Sequence, residues 1–233
     1  MYYPMYYDVT YILVLIGVVL CLLASAKMNS TFKRYSRVRN AAGITGREAA
    51  EEVLRNAGIY DVRVEHVSGN LTDHYDPRNK VLRLSDATYS STSVAAVGVA
   101  AHECGHAIQH AQGYAPLKFR STLVPIANFG SRIAWPLIIL GFIISSRSSM
   151  LLIDLGVLAF SLSVLFQLVT LPVEFNASNR AMRILSESAM LQGNELRSTR
   201  KVLSAAALTY VASAAAAILQ LLRLVLLTRG RRD

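Results

Sequence analysis

Cysteine is almost absent from this chain, acid is scarce, and no stretch repeats. The two cysteines are Cys21, in an apolar run, and Cys104, inside a histidine-bearing segment. They build neither a disulfide framework nor a cysteine-type zinc site, and Cys104 reads as a small packing residue. Acidic residues number 15 against 24 lysines and arginines, a net charge of +9. In a soluble protein that excess suggests nucleic acid. Here the basic residues cluster beside apolar segments instead of alternating with aromatics along one surface, so they read as juxtamembrane charge and a nucleic-acid partner is not expected. Apolar residues are plentiful: 53% of the 233 residues are hydrophobic and the mean hydropathy is +0.36. That is too apolar for an ordinary soluble domain and implies membrane segments.

The first apolar run, residues 9–26, is long enough to cross a bilayer. Tyr2, Tyr3, Tyr6 and Tyr7 before it suit an interfacial belt, no basic cluster precedes it, and Lys27, Lys33, Arg34, Arg37 and Arg39 follow it. The asymmetry predicts an uncleaved anchor over residues 1–27, with the N-terminus outside and residue 27 onward in the cytoplasm.

Residues 28–121 have the composition of a small soluble part. Thr45-Gly46-Arg47-Glu48 is a capping box, opening an amphipathic helix through Ala49, Val53, Leu54 and Ala57 that Gly58 ends. Residues 62–67 and 81–85 read as strands with turn chemistry between them, which predicts a short antiparallel sheet, as a hairpin or three strands. A long helix is expected from about Ser91 to Gln112.

Residues 122–172 hold two apolar runs, 124–145 and 151–171, a transmembrane hairpin with Arg147 and Asp154 near the connection. A new helix is expected at Pro172, within residues 173–202. The last part, 203–233, carries a further apolar segment, Gln220 and Arg223 within it, then Arg229, Arg231 and Arg232. Its basic tail is opposed by Arg197, Arg200 and Lys201. The segment is read as crossing; the alternative is that it lies along the membrane with Arg223 snorkelling.

The chemistry centres on His102-Glu103-Cys104-Gly105-His106. Four helical residues advance about 6 Å and turn about 400°, so both histidines leave nearly one face and converge on one ion. Glu103 points to the side, where it takes a proton from water without binding the metal. A catalytic zinc takes a third protein ligand. The H-E-x-x-H-x-x-G-x-x-H extension is closed, because Gln109 and Gln112 stand where it needs glycine and histidine. His110 is two turns from His102 and suits an outer supporting or packing role better than ligation. A carboxylate from a later helix remains, with Glu174 the leading candidate, although from the residues alone an ordinary glutamate favouring a helix N-terminus is the stronger reading there.

A resemblance bears on that choice. His74-Tyr75-Asp76-Pro77, Leu82-Arg83-Leu84-Ser85, the segment from Ala100 to Gln109, and Leu171-Pro172-Val173-Glu174-Phe175-Asn176-Ala177 together resemble the YugP-type neutral zinc metallopeptidases, membrane gluzincins. The resemblance implies an α+β membrane protein, mainly helical, with transmembrane helices and a small zincin-like part: helix, short antiparallel sheet, HExxH helix and glutamate helix. It implies one Zn²⁺ per chain on His102, His106 and Glu174, with Glu103 as the base. Ser178 departs from the E-x-x-x-D pattern, which has an aspartate there, and leaves open what orients the imidazoles. Ser178, Asn179, Arg180 and His110 are the candidates.

The expected activity is that of a zinc endopeptidase embedded in the plasma or inner membrane. It would cleave membrane proteins or peptides near the cytoplasmic face. His74, Tyr75, Arg180 and Arg183 are candidates for contacting the oxyanion or substrate, His74 reading equally as a polar turn residue. The strand at 81–85 is a candidate edge for an extended substrate. A non-catalytic membrane scaffold with a structural metal and a partner-binding domain is the alternative, motivated by the missing aspartate at Ser178.

Overall fold

A computed structural model describes residues 9–144 and 149–229. Tyr2, Tyr3, Tyr6, Tyr7, Arg147, Arg231 and Arg232, to which the sequence assigns interfacial or topogenic roles, lie outside the described residues. The described chain is mainly helical: α1 (Tyr11–Tyr35), α2 (Gly46–Asn56), α3 (Val94–Ala111), α4 (Ala115–Ile143), α5 (Ser149–Glu187) and α6 (Asn194–Arg229). Three short strands, β1 (Arg63–Val67), β2 (His74–Asp76) and β3 (Val81–Ser85), complete an α+β membrane protein. α1, α4, α5 and α6 are long and apolar enough to cross a membrane. The chain divides into two units, Met1–Ala24 with Arg120–Val169 and Tyr210–Asp233, and Ser25–Phe119 with Thr170–Thr209.

The first unit is built from apolar stretches of the four long helices, and small residues let their backbones approach. A β-carbon on Gly130 would stand 2.6 Å from the Ala159 carbonyl oxygen, and one on Gly156 would stand 2.9 Å from that of Ala134. Close approach of this kind is how helices associate in lipid, where hydrophobic burial gives little drive. Arg223 has an aromatic neighbour in this unit. Its guanidinium lies over the Tyr11 ring, 4.1 Å from the centroid, and the residue is buried, which keeps the cation against a π face.

In the second unit α2 starts at its capping box. Thr45 Oγ1 accepts the Glu48 N–H at 3.2 Å, and Glu48 Oε2 accepts the Thr45 N–H at 2.7 Å. Its buried stripe of Ala49, Ala50, Val53 and Leu54 shares one core with Val94, Val97 and Ala101 of α3 and Leu82 and Leu84 of β3.

The sheet order is β1-β3-β2, with β1 parallel and β2 antiparallel to β3. The expected all-antiparallel pairing is therefore corrected. The hairpin joins β2 to β3, because the Asp76 carboxylate collects the Arg78 and Asn79 N–H groups into a turn. β1 then reaches β3 from the other side. β3, buried at Val81, Leu82, Leu84 and Ser85, is the central strand. It offers no edge, and an extended partner has only the outer sides of β1 and β2 among the described residues.

No helix begins at Pro172. α5 runs through it for 39 residues, although an interior proline removes a donor and crowds the preceding turn. Val173, Ala177, Ala181 and Leu185, one turn apart and all fully buried, carry the packing straight past the interruption, and tertiary contact overrides local preference.

Candidate metal centre

α3 has a defined start. Ser93 Oγ accepts the Ala96 N–H at 3.1 Å, and every residue from Val94 to Ala101 is buried and no larger than valine, so neighbours lie close. Where that run ends, His102 and His106 project together, their ring centroids 4.8 Å apart and the planes nearly perpendicular. Glu174 of α5 closes the third side. Its Oε2 is 3.3 Å from His102 Nε2 and 3.5 Å from His106 Nε2. One donor atom from each residue lies within 4.8 Å of the others. The carboxylate is 3% exposed and each imidazole 13%, so the group is shielded yet reachable along the histidine side.

The outer nitrogens are both engaged. His102 Nδ1 is 3.0 Å from Ser178 Oγ, and His106 Nδ1 is 3.0 Å from Gln109 Oε1. Gln109 is fully buried, and its Nε2 donates to the Val173 carbonyl at 2.8 Å. A carbonyl only accepts, so this bond favours the Gln109 amide with its nitrogen toward Val173 and its oxygen toward His106. His106 Nδ1 then carries the proton and Nε2 presents a lone pair to Glu174.

A lone pair facing a buried carboxylate at this distance calls for a cation between them. The surroundings of His106 agree. Burial opposes its positive form, but the neighbouring Glu103 and Glu174 carboxylates outweigh it and raise the imidazole above its usual range, so this point favours positive charge. Two imidazole nitrogens and one carboxylate oxygen are a donor set suited to zinc.

A family model described as "Putative neutral zinc metallopeptidase" matches residues 10–229. The chain belongs to this family. It is 48% identical over 210 residues to the Bacillus subtilis (strain 168) protein named "Putative membrane protease YugP", covering 90% of this chain and 92% of that one. No solved structure gives a significant match. The family's zinc thus has in this chain a trio of residues whose chemistry fits it.

The remaining residues singled out in the sequence of this family member divide sharply. Glu103 is buried at 9% exposure, one position along the helix from His102. Cys104 points away from the trio, its Sγ toward the Ala50 carbonyl at 3.5 Å, and burial, with the Glu103 charge adding to it, pushes its thiol well up. Ser178 meets His102, as already described, while Asn179 is exposed. His110 is not among the three. Its Nδ1 lies 2.9 Å from the Tyr75 hydroxyl, because β2 packs beside the last turn of α3.

His74 is exposed, with Nδ1 2.8 Å from the Thr72 carbonyl. Arg183 pairs with Glu187 at 2.8 Å on the exposed surface. Nine residues beyond Glu174 on one helix is about half a turn out of phase, so Arg183 faces away from the histidines. Arg180 donates through Nε to Asn176 Oδ1 at 2.7 Å and through Nη1 to Gln112 Oε1 at 2.5 Å.

Gln109 and Asn176 were not singled out by the sequence. The available signal was spacing: Gln109 is three residues after His106, hence beside it on the helix.

Proposed function

We propose that the chain is a membrane-embedded zinc metalloendopeptidase of gluzincin type, with one zinc held by His102 Nε2, His106 Nε2 and a Glu174 oxygen. The observation that carries it is the convergence of these three atoms while both Nδ1 positions are tied to Ser178 and Gln109. Bound zinc supplies Lewis acidity, which polarises a peptide carbonyl and brings the pKa of water toward about 7. Glu103 accepts the proton of the attacking water and delivers it to the nitrogen of the departing amine. Ser178 and Gln109 hold the imidazoles in place through the reaction, so little reorganisation is needed.

Substrates are membrane proteins, their juxtamembrane segments, or peptides at the bilayer. The basic residues after the first apolar run support a cytoplasmic position for the second unit and for cleavage, in a plasma or inner membrane. Since β3 is paired on both sides, an extended substrate is assigned to the outer edge of β2, next to Tyr75. The scaffold alternative rested on the missing aspartate at 178. Ser178 Oγ supplies His102 with the partner in question, and no other observation favours that reading.

The test is to purify the protein in detergent, measure zinc, and assay casein or a membrane-protein substrate beside Glu103→Gln. Stoichiometric zinc in both, with cleavage falling about 10²-fold or more in the variant, is expected; equal cleavage overturns the role of Glu103. A reporter within residues 60–70 found outside the cell would overturn the orientation.

A further inference from the structure

Gln109 receives more than the Val173 carbonyl. Its Nε2 also donates to Asn176 Oδ1 at 2.9 Å, and the same oxygen accepts Arg180 Nε at 2.7 Å. Arg180 reaches on to Gln112 Oε1, at the C-cap of α3, and its guanidinium lies 5.8 Å from the centre of the Tyr114 ring. Gln109 and Gln112 are three apart on the end of α3, and Asn176 and Arg180 are four apart on α5, so a ladder of side chains bridges the two helices that carry the ligands.

The ladder has only one polarity. A guanidinium donates and cannot accept, so Asn176 must present its oxygen to Arg180. That oxygen then takes the Gln109 amide hydrogen, and Gln109 must turn its own oxygen to His106. Flipping Asn176 would set its amide against two donors at once. Flipping Gln109 would give His106 Nδ1 a donor, move the ring proton to Nε2, and aim it where the metal must bind.

We propose that Arg180 and Asn176 are positioning residues for zinc, which with Gln109 form a one-way relay from the α3 C-cap that locks His106 as its Nδ1–H tautomer. This rests on the zinc reading of His102, His106 and Glu174. It gives Arg180 a duty different from oxyanion binding, and it makes the hydrogen-bonding direction at 176, rather than its volume, the property that matters.

The substitutions at 176 separate the two. Asn176→Asp keeps an acceptor for both Gln109 and Arg180, whereas Asn176→Leu keeps the volume and removes the acceptor. Zinc affinity is measured by competition with a chelator in detergent-solubilised full-length protein. Cobalt-substituted spectra report the coordination geometry, and the melting of zinc-free protein reports folding.

Asn176→Leu is expected to weaken zinc by about 10-fold to 100-fold and to alter the cobalt spectrum, and Asn176→Asp to retain both. Arg180→Met is expected to shift both readouts in the same direction as Asn176→Leu, and it serves if Asn176→Leu does not fold. Parent-like affinity and spectrum in Arg180→Met, or equal losses in both Asn176 variants, overturn the relay. Failure of the parent protein itself to hold stoichiometric zinc overturns the metal reading instead.

Discussion

A β-carbon on Gly105 would stand 2.5 Å from the carbonyl oxygen of Ala177. The middle of the histidine motif and the helix bearing Glu174 therefore meet backbone to backbone, and the missing side chain at 105 sets how near the carboxylate comes to the imidazoles. No flexible side-chain end is there to yield, since the opposing atoms belong to the main chain. Gly105→Ala is expected to lose about 1–3 kcal/mol of stability from overpacking and to lose bound zinc with it. Denaturation and metal analysis check this; an alanine variant with parental stability and full zinc would show that α5 has room to move.

Zinc is expected to stabilise the protein through Glu174. At a free concentration near 100 times its dissociation constant, a ligand of the native state contributes about 2.7 kcal/mol. Melting should therefore rise with zinc in the parent and fall back on chelation. Glu174→Ala should melt at one temperature with or without zinc. A zinc-dependent rise of parental size in that variant would remove Glu174 from the ligand set.

Ser178 stands 3.0 Å from His102 Nδ1, four residues after Glu174 and hence on nearly the same face of α5. Ser178→Ala should weaken zinc by about 10-fold to 100-fold, while Ser178→Asp, which restores an acceptor, should hold it near the parental value. Competition titration decides. An alanine variant that binds as the parent does would leave His102 oriented by something else.

Cys104 is fully buried and its thiol is pushed upward by burial. The thiolate is the reactive form, so Cys104 should resist alkylation in the native protein and react only on unfolding. Cys104→Ala should retain full zinc. Rapid native labelling, read by mass spectrometry, would contradict the packing assigned to it.

At the β2–β3 turn, the Asn79 side-chain amide, followed by the Asn79 and Arg78 backbone N–H groups and Arg83, lowers Asp76 from 3.8 to about 2. A carboxyl lowered on folding stabilises the native state above its unfolded value, and that contribution disappears as pH falls through the folded one. The Asp76 share of stability is thus present above about pH 4 and lost as pH falls through about 2. Carboxyl carbon shifts followed by NMR should show the low midpoint, and Asn79→Ala should raise it. A midpoint near 3.8 in the parent would mean that the turn does not hold the carboxylate.

Periodicity and local chemistry made much of this molecule legible. The capping box at Thr45 and Glu48, the long helix through His102 and His106, and the apolar runs are patterns within short windows, where side-chain spacing follows directly from helical geometry. What lies across windows was not. The sheet order came from whether Asp76 gathers its turn, which places β2 beside β3 and leaves β1 to approach in parallel. The passage of α5 through Pro172 came from a buried stripe that outweighs one missing donor.

The centre divides the same way. The sequence alone determined that two imidazoles share a helix face beside a glutamate and that Glu174 is available downstream. Its convergence with them, Ser178 and Gln109 at the outer nitrogens, and Arg183 turned away were decided by tertiary structure. The contacts of Glu174 and Ser178 depend on the closeness and rotation of two helices more than sixty residues apart, set here by packing at Gly105, and the direction of the Gln109 amide depends on its α5 partners, Val173 and Asn176.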